Sequence, residues 1–471
     1  MSIDDGLFAR LTGGLYADGC AFLDEATDHL PAKFRDDFDL DSKNEFCLPV
    51  KASMRAFLRW SERMELISKP DGLPTFLSHV VRTVPYYRKL LQRRASPPLT
   101  LSTFPVMSKA EMIENYCAFI SESYHADDQK LFKQTSGTTG TPLVVWFDAE
   151  SFYDLNYQTY RRVARHLPGL LESLTPEATA AIQLTDNPAT WPGSTMLPSL
   201  NLSRLYRQIF GMQGIDNDRV IARVRACQPP LICGMASSLL QYLALEKAAL
   251  PGAPTCHPRA IFLSGETLFD NGRALLQSWF NCPVISAYTS TEGGLIAMEC
   301  LLTNGLHLYS DHVRVELLDG SGSLAEEGDG EIVVTNLLNW AFPFVRYRTG
   351  DRATVRSVLC ECGFRGMTIT KLHGREATRF QLPGRDVDVG TLDQVFSRLP
   401  LIEFRLEQQA PNRFTFKWVP ADAREDPGPL EDEIGSILRM HLGDVAVSSA
   451  RTTRITEPGT KARRYVACDP A

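Results

Sequence analysis

Between Leu131 and Glu292, four short apolar runs (PLVVWF, PPLICG, AIFLSG and PVISAY) recur between stretches of helical spacing such as SSLLQYLALEKAAL. A strand that is apolar on both faces must be covered on both faces, so this alternation predicts an α/β body in which a sheet is packed between helices. Upstream, from Ser53 to Leu91, the apolar spacing is helical, and VVRTVPYYRKLL is an amphipathic stretch broken at Pro85. These helices are expected to wrap the outside of the body.

After Gly305 the pattern changes. HLYSDHVRVELLD, GEIVVTNLL and RYRTGDRATV alternate in the manner of strands and are separated by Gly and Asp turns, which predicts an antiparallel β appendage. A boundary is expected after KLHGRE. Beyond Leu392 the chain reads as helix, strand (LIEFRLEQQ), strand (RFTFKWV), polar loop, helix and strand. In the last helix Leu430, Ile434, Ile437, Leu438 and His441 recur at spacings that can bury one face. The expected organisation is a body over residues 1–376 and a small mobile α+β lid over residues 377–471.

Composition narrows the function. The 471 residues carry 49 Lys and Arg against 56 Asp and Glu, a formal charge of -7, so no diffuse positive field draws the chain to nucleic acid or to an anionic membrane surface. Anionic ligands must be held by local groups. No stretch approaches the length of apolar sequence that a membrane span requires, and the N-terminus lacks a basic region followed by an apolar run, so a cytoplasmic protein is expected. The 11 cysteines form an odd set spread along the chain, which argues for reduced thiols with a few on a metal, not for a disulfide framework.

The string Thr135, Ser136, Gly137, Thr138, Thr139, Gly140, Thr141 and Pro142 stands just ahead of the apolar run that begins at Leu143. Hydroxyls interleaved with glycines make a loop dense in donors, through which backbone N–H groups can approach phosphate oxygens. A nucleotide-binding loop of the GxxxxGK[ST] kind would carry a lysine after the last glycine, where Thr141 stands, so ordinary NTPase chemistry is disfavoured.

Five further strings follow in order: Ser264-Gly265-Glu266-Thr267-Leu268, Ala287-Tyr288-Thr289-Ser290-Thr291-Glu292, Tyr347-Arg348-Thr349-Gly350-Asp351, Gly374-Arg375, and Gly459-Thr460-Lys461. Together with the hydroxyl-rich loop they resemble the adenylate-forming (acyl/aryl-CoA synthetase) superfamily and, within it, the phenylacetate-CoA ligase branch. The resemblance implies that Thr135 to Gly140 contact the phosphates of ATP, that Glu292 holds Mg²⁺ beside a phosphate-contacting Thr291, and that Tyr288, Gly265 and Glu266 line the adenine slot. It further implies that Asp351 and Arg375 reach the ribose, and that Lys461 bridges carboxylate and α-phosphate. A hard carboxylate oxygen suits Mg²⁺, and lysine offers a compact charge on a flexible stem. Ala377 departs from the usual hinge residue.

The acid pocket of that family maps onto Tyr153, Tyr157, Gly234, Ala236 and Ala287, where small residues and tyrosines suit a benzoate-, anthranilate- or phenylacetate-like ring. The expected activity is ligation of a small aromatic carboxylic acid to the thiol of coenzyme A, with ATP and Mg²⁺. Activation for a carrier-protein thiol, adenylyl transfer to a hydroxyl and a non-catalytic nucleotide-binding scaffold stand as alternatives, and a homodimer is an open expectation.

Cys360-Glu361-Cys362 is a C-x-C knuckle, and Cys300 and His307 lie earlier in the chain. Three thiols and an imidazole form a ligand set of the structural zinc kind, which would staple the antiparallel appendage. Cys227, Cys233 and Cys282 are expected in the core.

Overall fold

Pro85 divides two helices as its position predicts. Helix Gly72–Thr83 ends at Val84, whose extended backbone (φ -102, ψ 111) suits the residue before a proline, and Pro85 opens helix Pro85–Leu91. The computed structural model describes residues 50–91, 99–124, 131–135, 142–175, 178–186, 193–197, 200, 203–211, 215–250, 252–375, 379–422, 426–457 and 463–468. Ser136, Gly137, Thr138, Thr139, Gly140 and Lys461 lie outside these residues, and only the backbone of Tyr153 and Arg375 is described.

The described chain divides into two compact units. One holds the residues up to Ala180 with Pro192–Tyr206 and Ala287–Leu372, and the other holds Ala181–Trp191, Arg207–Ser286 and His373 onward. In the first, the N-terminal helices contribute one face to the core: Trp60, Phe76, Val80 and Tyr87 are buried with Val145 and Phe147. Helix Ala149–Arg165 starts at Asp148, whose carboxylate accepts from Ser151 N at 3.0 Å. Arg63 of helix Val50–Ser68 donates to the other Asp148 oxygen and to Leu338 O, both at 2.8 Å, and so fastens that helix to the start of its neighbour.

The antiparallel sheet runs, in spatial order, through Leu324–Ala325, Val313–Leu318, Gly328–Asn336, Tyr347–Leu359, Arg365–Arg375, Thr303–Leu308, Gly294–Cys300 and Val284–Ser290. The run expected as one strand from His307 is two, Thr303–Leu308 and Val313–Leu318. His312 is buried at the turn between them, with Nδ1 2.9 Å from Asp311 Oδ1 and Nε2 2.7 Å from Leu295 O.

In the second unit the strands Thr179–Thr185, Leu231–Gly234 and Ala260–Ser264 pair in parallel, and helices Ala236–Ala249 and Asp270–Phe280 follow the last two of them. Leu231, Ile232, Ala260, Ile261 and Leu263 are buried, which is why these segments read as continuous apolar runs.

The C-terminal residues form an α+β domain with its own core. Its sheet runs Ala446–Arg451, Arg413–Pro420, Leu401–Ala410 and Tyr465–Val466, the central pair antiparallel and the outer pairs parallel. Helix Gly428–Leu442 turns Ile434, Leu438 and Leu442 onto Phe396, Phe404, Phe416 and Trp418. Among the described residues, no helix is long and apolar enough to cross a membrane.

Candidate nucleotide and metal sites

The hydroxyl-rich loop joins two strands of a hairpin, Leu131–Gln134 and Val144–Phe147, which pair antiparallel from Leu131↔Phe147 to Gln134↔Val144. Thr135 closes the hairpin: its N–H donates to Leu143 O at 2.9 Å, and its hydroxyl accepts from Leu143 N at 2.9 Å. The first residue of the loop therefore carries a structural bond besides any ligand contact.

Tyr288 and Glu292 lie on strand Val284–Ser290 and the turn after it, a turn closed by Gly293 N donating to Ser290 Oγ at 2.8 Å. The Tyr288 hydroxyl donates to Asp351 Oδ2 at 2.9 Å. Burial pushes the Tyr288 phenol well above its ordinary value, and the nearby Asp351 charge adds to the shift, so the ring remains a proton donor across the working pH range. Asp351 follows Gly350, whose φ of +81 favours a residue without a side chain, and its N–H donates to Thr349 Oγ1 at 3.1 Å. Glu292 is half-buried and is held at two points. Its Oε1 accepts from the Tyr347 hydroxyl at 3.1 Å, and its main-chain oxygen accepts from Asn336 Nδ2 at 3.0 Å.

Three of the residues singled out in the sequence thus gather in this unit, with both carboxylates met by phenols. Thr291 is half-buried beside them. Tyr347 opens one of the sequence strings without a role assigned to it there, and Asn336 lies in none of them, since Tyr347 is 55 residues from its partner and Asn336 is 44 from its own.

Tyr157 is buried with its ring 5.3 Å from Phe57 and 5.4 Å from Trp60, and Ala287 is buried opposite Met298. In the other unit, Glu266 Oε2 accepts from Ser237 N at 2.8 Å and so caps helix Ala236–Ala249. Gly265 has a φ of +85. Ala236 is buried. Gly234 is required by packing, because a Cβ there would stand 2.5 Å from Leu184 O.

Cys300, His307, Cys360 and Cys362 come together with all their ligand atoms within 4.8 Å of one another. Cys300 Sγ lies 3.8 Å from Cys360 Sγ, and Cys362 Sγ lies 3.4 Å from His307 Nε2. With metal–sulfur bonds of about 2.3 Å and metal–nitrogen bonds of about 2.0 Å, a tetrahedral zinc site has edges of about 3.8 Å between sulfurs and about 3.5 Å between sulfur and nitrogen. The donor set fits Zn²⁺ in chemistry, and these two separations match the edges of such a site. His307 Nδ1 is 3.2 Å from Thr368 Oγ1, the kind of outer contact that orients a metal-bound imidazole. Of the three cysteines expected in the core, Cys233 is buried, and Cys227 and Cys282 are half-buried.

No family model matches the chain. In fold, the chain is similar to 2-hydroxyisobutyryl-CoA ligase solved in its postadenylation state in complex with 2-HIB-AMP, with a TM-score of 0.66 and 15% identity over 88% of this chain and 90% of that one. The two chains therefore share a fold. In sequence, the chain is 26% identical over 291 residues to the phenylacetate-coenzyme A ligase of Escherichia coli (strain K12), which covers 58% of this chain and 63% of that protein. It is 23% identical over 352 residues to the protein of the same name from Thermus thermophilus, covering 70% of this chain and 74% of that one. The match spans less than two thirds of the length of the Escherichia coli relative. Both relatives carry the name of the branch that the motifs resemble.

Proposed function

We propose that the protein is an ATP-dependent, AMP-forming ligase that adenylates a small aromatic carboxylate and passes the acyl group to the thiol of coenzyme A. The observation that carries this reading is the pairing of Tyr288 with Asp351 and of Glu292 with Tyr347 in one unit. A flat ring, a carboxylate with hydroxyl-accepting geometry and a hard oxygen ligand meet there in the motif order of adenylate-forming enzymes.

In the first half-reaction a carboxylate oxygen of the acid attacks the α-phosphorus of ATP, the bond to the bridging oxygen breaks, and pyrophosphate leaves. Two anions must approach, so fixed donors and cations have to absorb the charge. Mg²⁺, when bound, supplies Lewis-acid neutralisation of the phosphates. Glu292 fits that ion: Tyr347 holds one oxygen, and Oε2 has no partner among the described residues. Asp351 accepts the ribose hydroxyls in place of the Tyr288 phenol, with Arg375 reaching the same sugar, while Tyr288, Gly265 and Glu266 line the base. Thr291 and the donors of Thr135, Ser136, Gly137, Thr138, Thr139 and Gly140 take the phosphate oxygens. Lys461, delivered by the lid of residues 377–471, balances the approaching carboxylate.

In the second half-reaction the thiolate of coenzyme A attacks the acyl carbon, the bond to AMP breaks, and AMP departs. The names of the relatives favour coenzyme A over a carrier-protein thiol. For the acid, Tyr153, Tyr157, Gly234, Ala236 and Ala287 supply the aromatic and small groups that suit a flat ring. Cys300, His307, Cys360 and Cys362 hold a structural Zn²⁺ outside the reaction, and the setting is cytoplasmic.

The test is acid-dependent exchange of pyrophosphate into ATP across a panel of benzoate-, anthranilate- and phenylacetate-like acids, followed by a thioester assay with coenzyme A. Exchange with at least one aryl acid and a thioester product are expected. A chain that supports no exchange with any acid is not a ligase of this kind.

A further inference from the structure

Tyr347 stands in the fold as a fixed post. Its ring is buried edge-on to Phe344, with centroids 5.1 Å apart, and its backbone is gripped on both sides by Met107, which donates to Arg346 O at 2.8 Å and accepts from Arg348 N at 2.9 Å. The residue before it, Arg346, has a φ of +51, a conformation that a side chain other than glycine rarely adopts. That backbone is held by Arg346 N donating to Thr335 Oγ1 at 2.9 Å and by the guanidinium donating to both Glu316 oxygens, at 2.9 and 2.6 Å, and to Phe104 O at 3.2 Å. A strained backbone persists where the surroundings over-determine it, and such places cluster at functional sites.

The hydroxyl of the post donates to Glu292 Oε1 at 3.1 Å. From the other side Asn336 Nδ2 fixes the Glu292 carbonyl at 3.0 Å, and Asn336 is itself locked by accepting from Leu338 N at 2.9 Å. A carboxylate on a turn would otherwise rotate freely, and ordering it when a cation binds would cost side-chain entropy.

We infer that Tyr347 is a positioning residue for the cation-binding carboxylate: its phenol occupies Glu292 Oε1 and fixes the orientation in which Oε2 meets a hard divalent ion escorting ATP. The inference rests on the proposed role of Glu292. Hydrogen-bond partners of metal-binding carboxylates orient their ligands in the same way and are worth about 10–100-fold in metal affinity.

The experiment measures ATP binding calorimetrically, with saturating Mg²⁺ and again in EDTA, for the wild type, Tyr347→Phe, Glu292→Gln and the double variant. Tyr347→Phe retains the ring packing and removes only the oxygen. Its Mg²⁺-supported affinity is expected to fall about tenfold, with the EDTA value unchanged, and the double variant is expected to lose no more than Glu292→Gln alone, because both changes disable one device. Equal loss with and without Mg²⁺ makes Tyr347 a packing residue and overturns the inference. Wild-type affinity in Tyr347→Phe beside a clear loss in Glu292→Gln also overturns it and leaves the cation role of Glu292 standing. Wild-type behaviour of Glu292→Gln removes that role, and the inference falls with it.

Discussion

The Tyr288 hydroxyl and Asp351 Oδ2, 63 residues apart in sequence, are joined at 2.9 Å by a hydrogen bond in which the donor is buried and the acceptor is a carboxylate. A bond of this kind is stronger than one between neutral groups, and it holds the carboxylate in one orientation.

Tyr288→Phe removes that donor and little else. A loss of about 1–2 kcal/mol in folding stability is expected for a buried bond to a charged acceptor, read from urea denaturation midpoints at constant slope. A variant as stable as the wild type would mean that the bond contributes nothing in solution.

The cysteine and histidine quartet predicts one zinc per chain, measured by elemental analysis of protein purified without added metal. Cys360→Ser, or removal of the ion by a chelator, is expected to lower the melting temperature by about 6–12 °C, the equivalent of a loss on the order of 3 kcal/mol. A chain that melts identically with and without chelator does not use this cluster as a staple.

Two glycines separate packing from backbone effects. At Gly234 a methyl group would meet the Leu184 carbonyl at 2.5 Å, so Gly234→Ala is expected to cost about 3 kcal/mol through overpacking of the parallel strands. At Gly265 the nearest atom to an added Cβ is Met235 Cγ at 3.8 Å, so Gly265→Ala meets only the cost of its positive φ, about 1–2 kcal/mol. Thermal melts of the two variants rank them, and the reverse order would contradict the packing argument.

Asp154 gives a pH dependence of defined sign. Its carboxyl is buried, with Oδ1 accepting from Trp60 Nε1 at 2.8 Å, and burial raises its pKa above the ordinary aspartate range. Between the unfolded value of about 3.9 and the raised folded value, the native state holds more protons than the unfolded state, so stability falls as pH rises through that window. Asp154→Asn retains an oxygen for Trp60 and lacks the titration. Relative to the wild type its melting temperature is expected to be more favourable at neutral pH than near pH 4, and a difference independent of pH would show that Asp154 does not titrate in this way.

Lys461→Ala is expected to slow pyrophosphate exchange by about a hundredfold or more while leaving the affinity for ATP close to the wild-type value, since a contact made in the transition state acts on rate and not on ground-state binding. Unaltered exchange would remove the lysine from the mechanism.

The parts of the fold that could be read from the sequence are those set by local periodicity. Strands Leu401–Ala410 and Arg413–Pro420 and helix Gly428–Leu442 fall where the alternating and helical spacings indicate, and Ile434 and Leu438 face inward as their spacing requires. His441 does not share that face fully: it is half-buried, while Leu442 is buried, a one-residue drift at a helix end where packing overrides the ideal period. The gathering of Cys300, His307, Cys360 and Cys362 is also legible, because their donor chemistry singles them out without reference to distance. What escaped was non-local. The contact of Tyr347 with Glu292, the role of Asn336 and the Trp60–Asp154 pair depend on partners far along the chain, and Arg346 adopts a positive φ with no glycine to announce it.

The reciprocal bonds between Thr135 and Leu143 have a consequence for evolution as well as for binding. With the neck of the hydroxyl-rich segment tied during folding, its ends are held together whether or not a ligand is bound. The entropic cost of ring closure grows only logarithmically, at about 0.6 kcal/mol for each doubling in length. Insertions inside the tie should therefore leave the hairpin intact, so the segment is free to vary in length so long as its chemical make-up is retained.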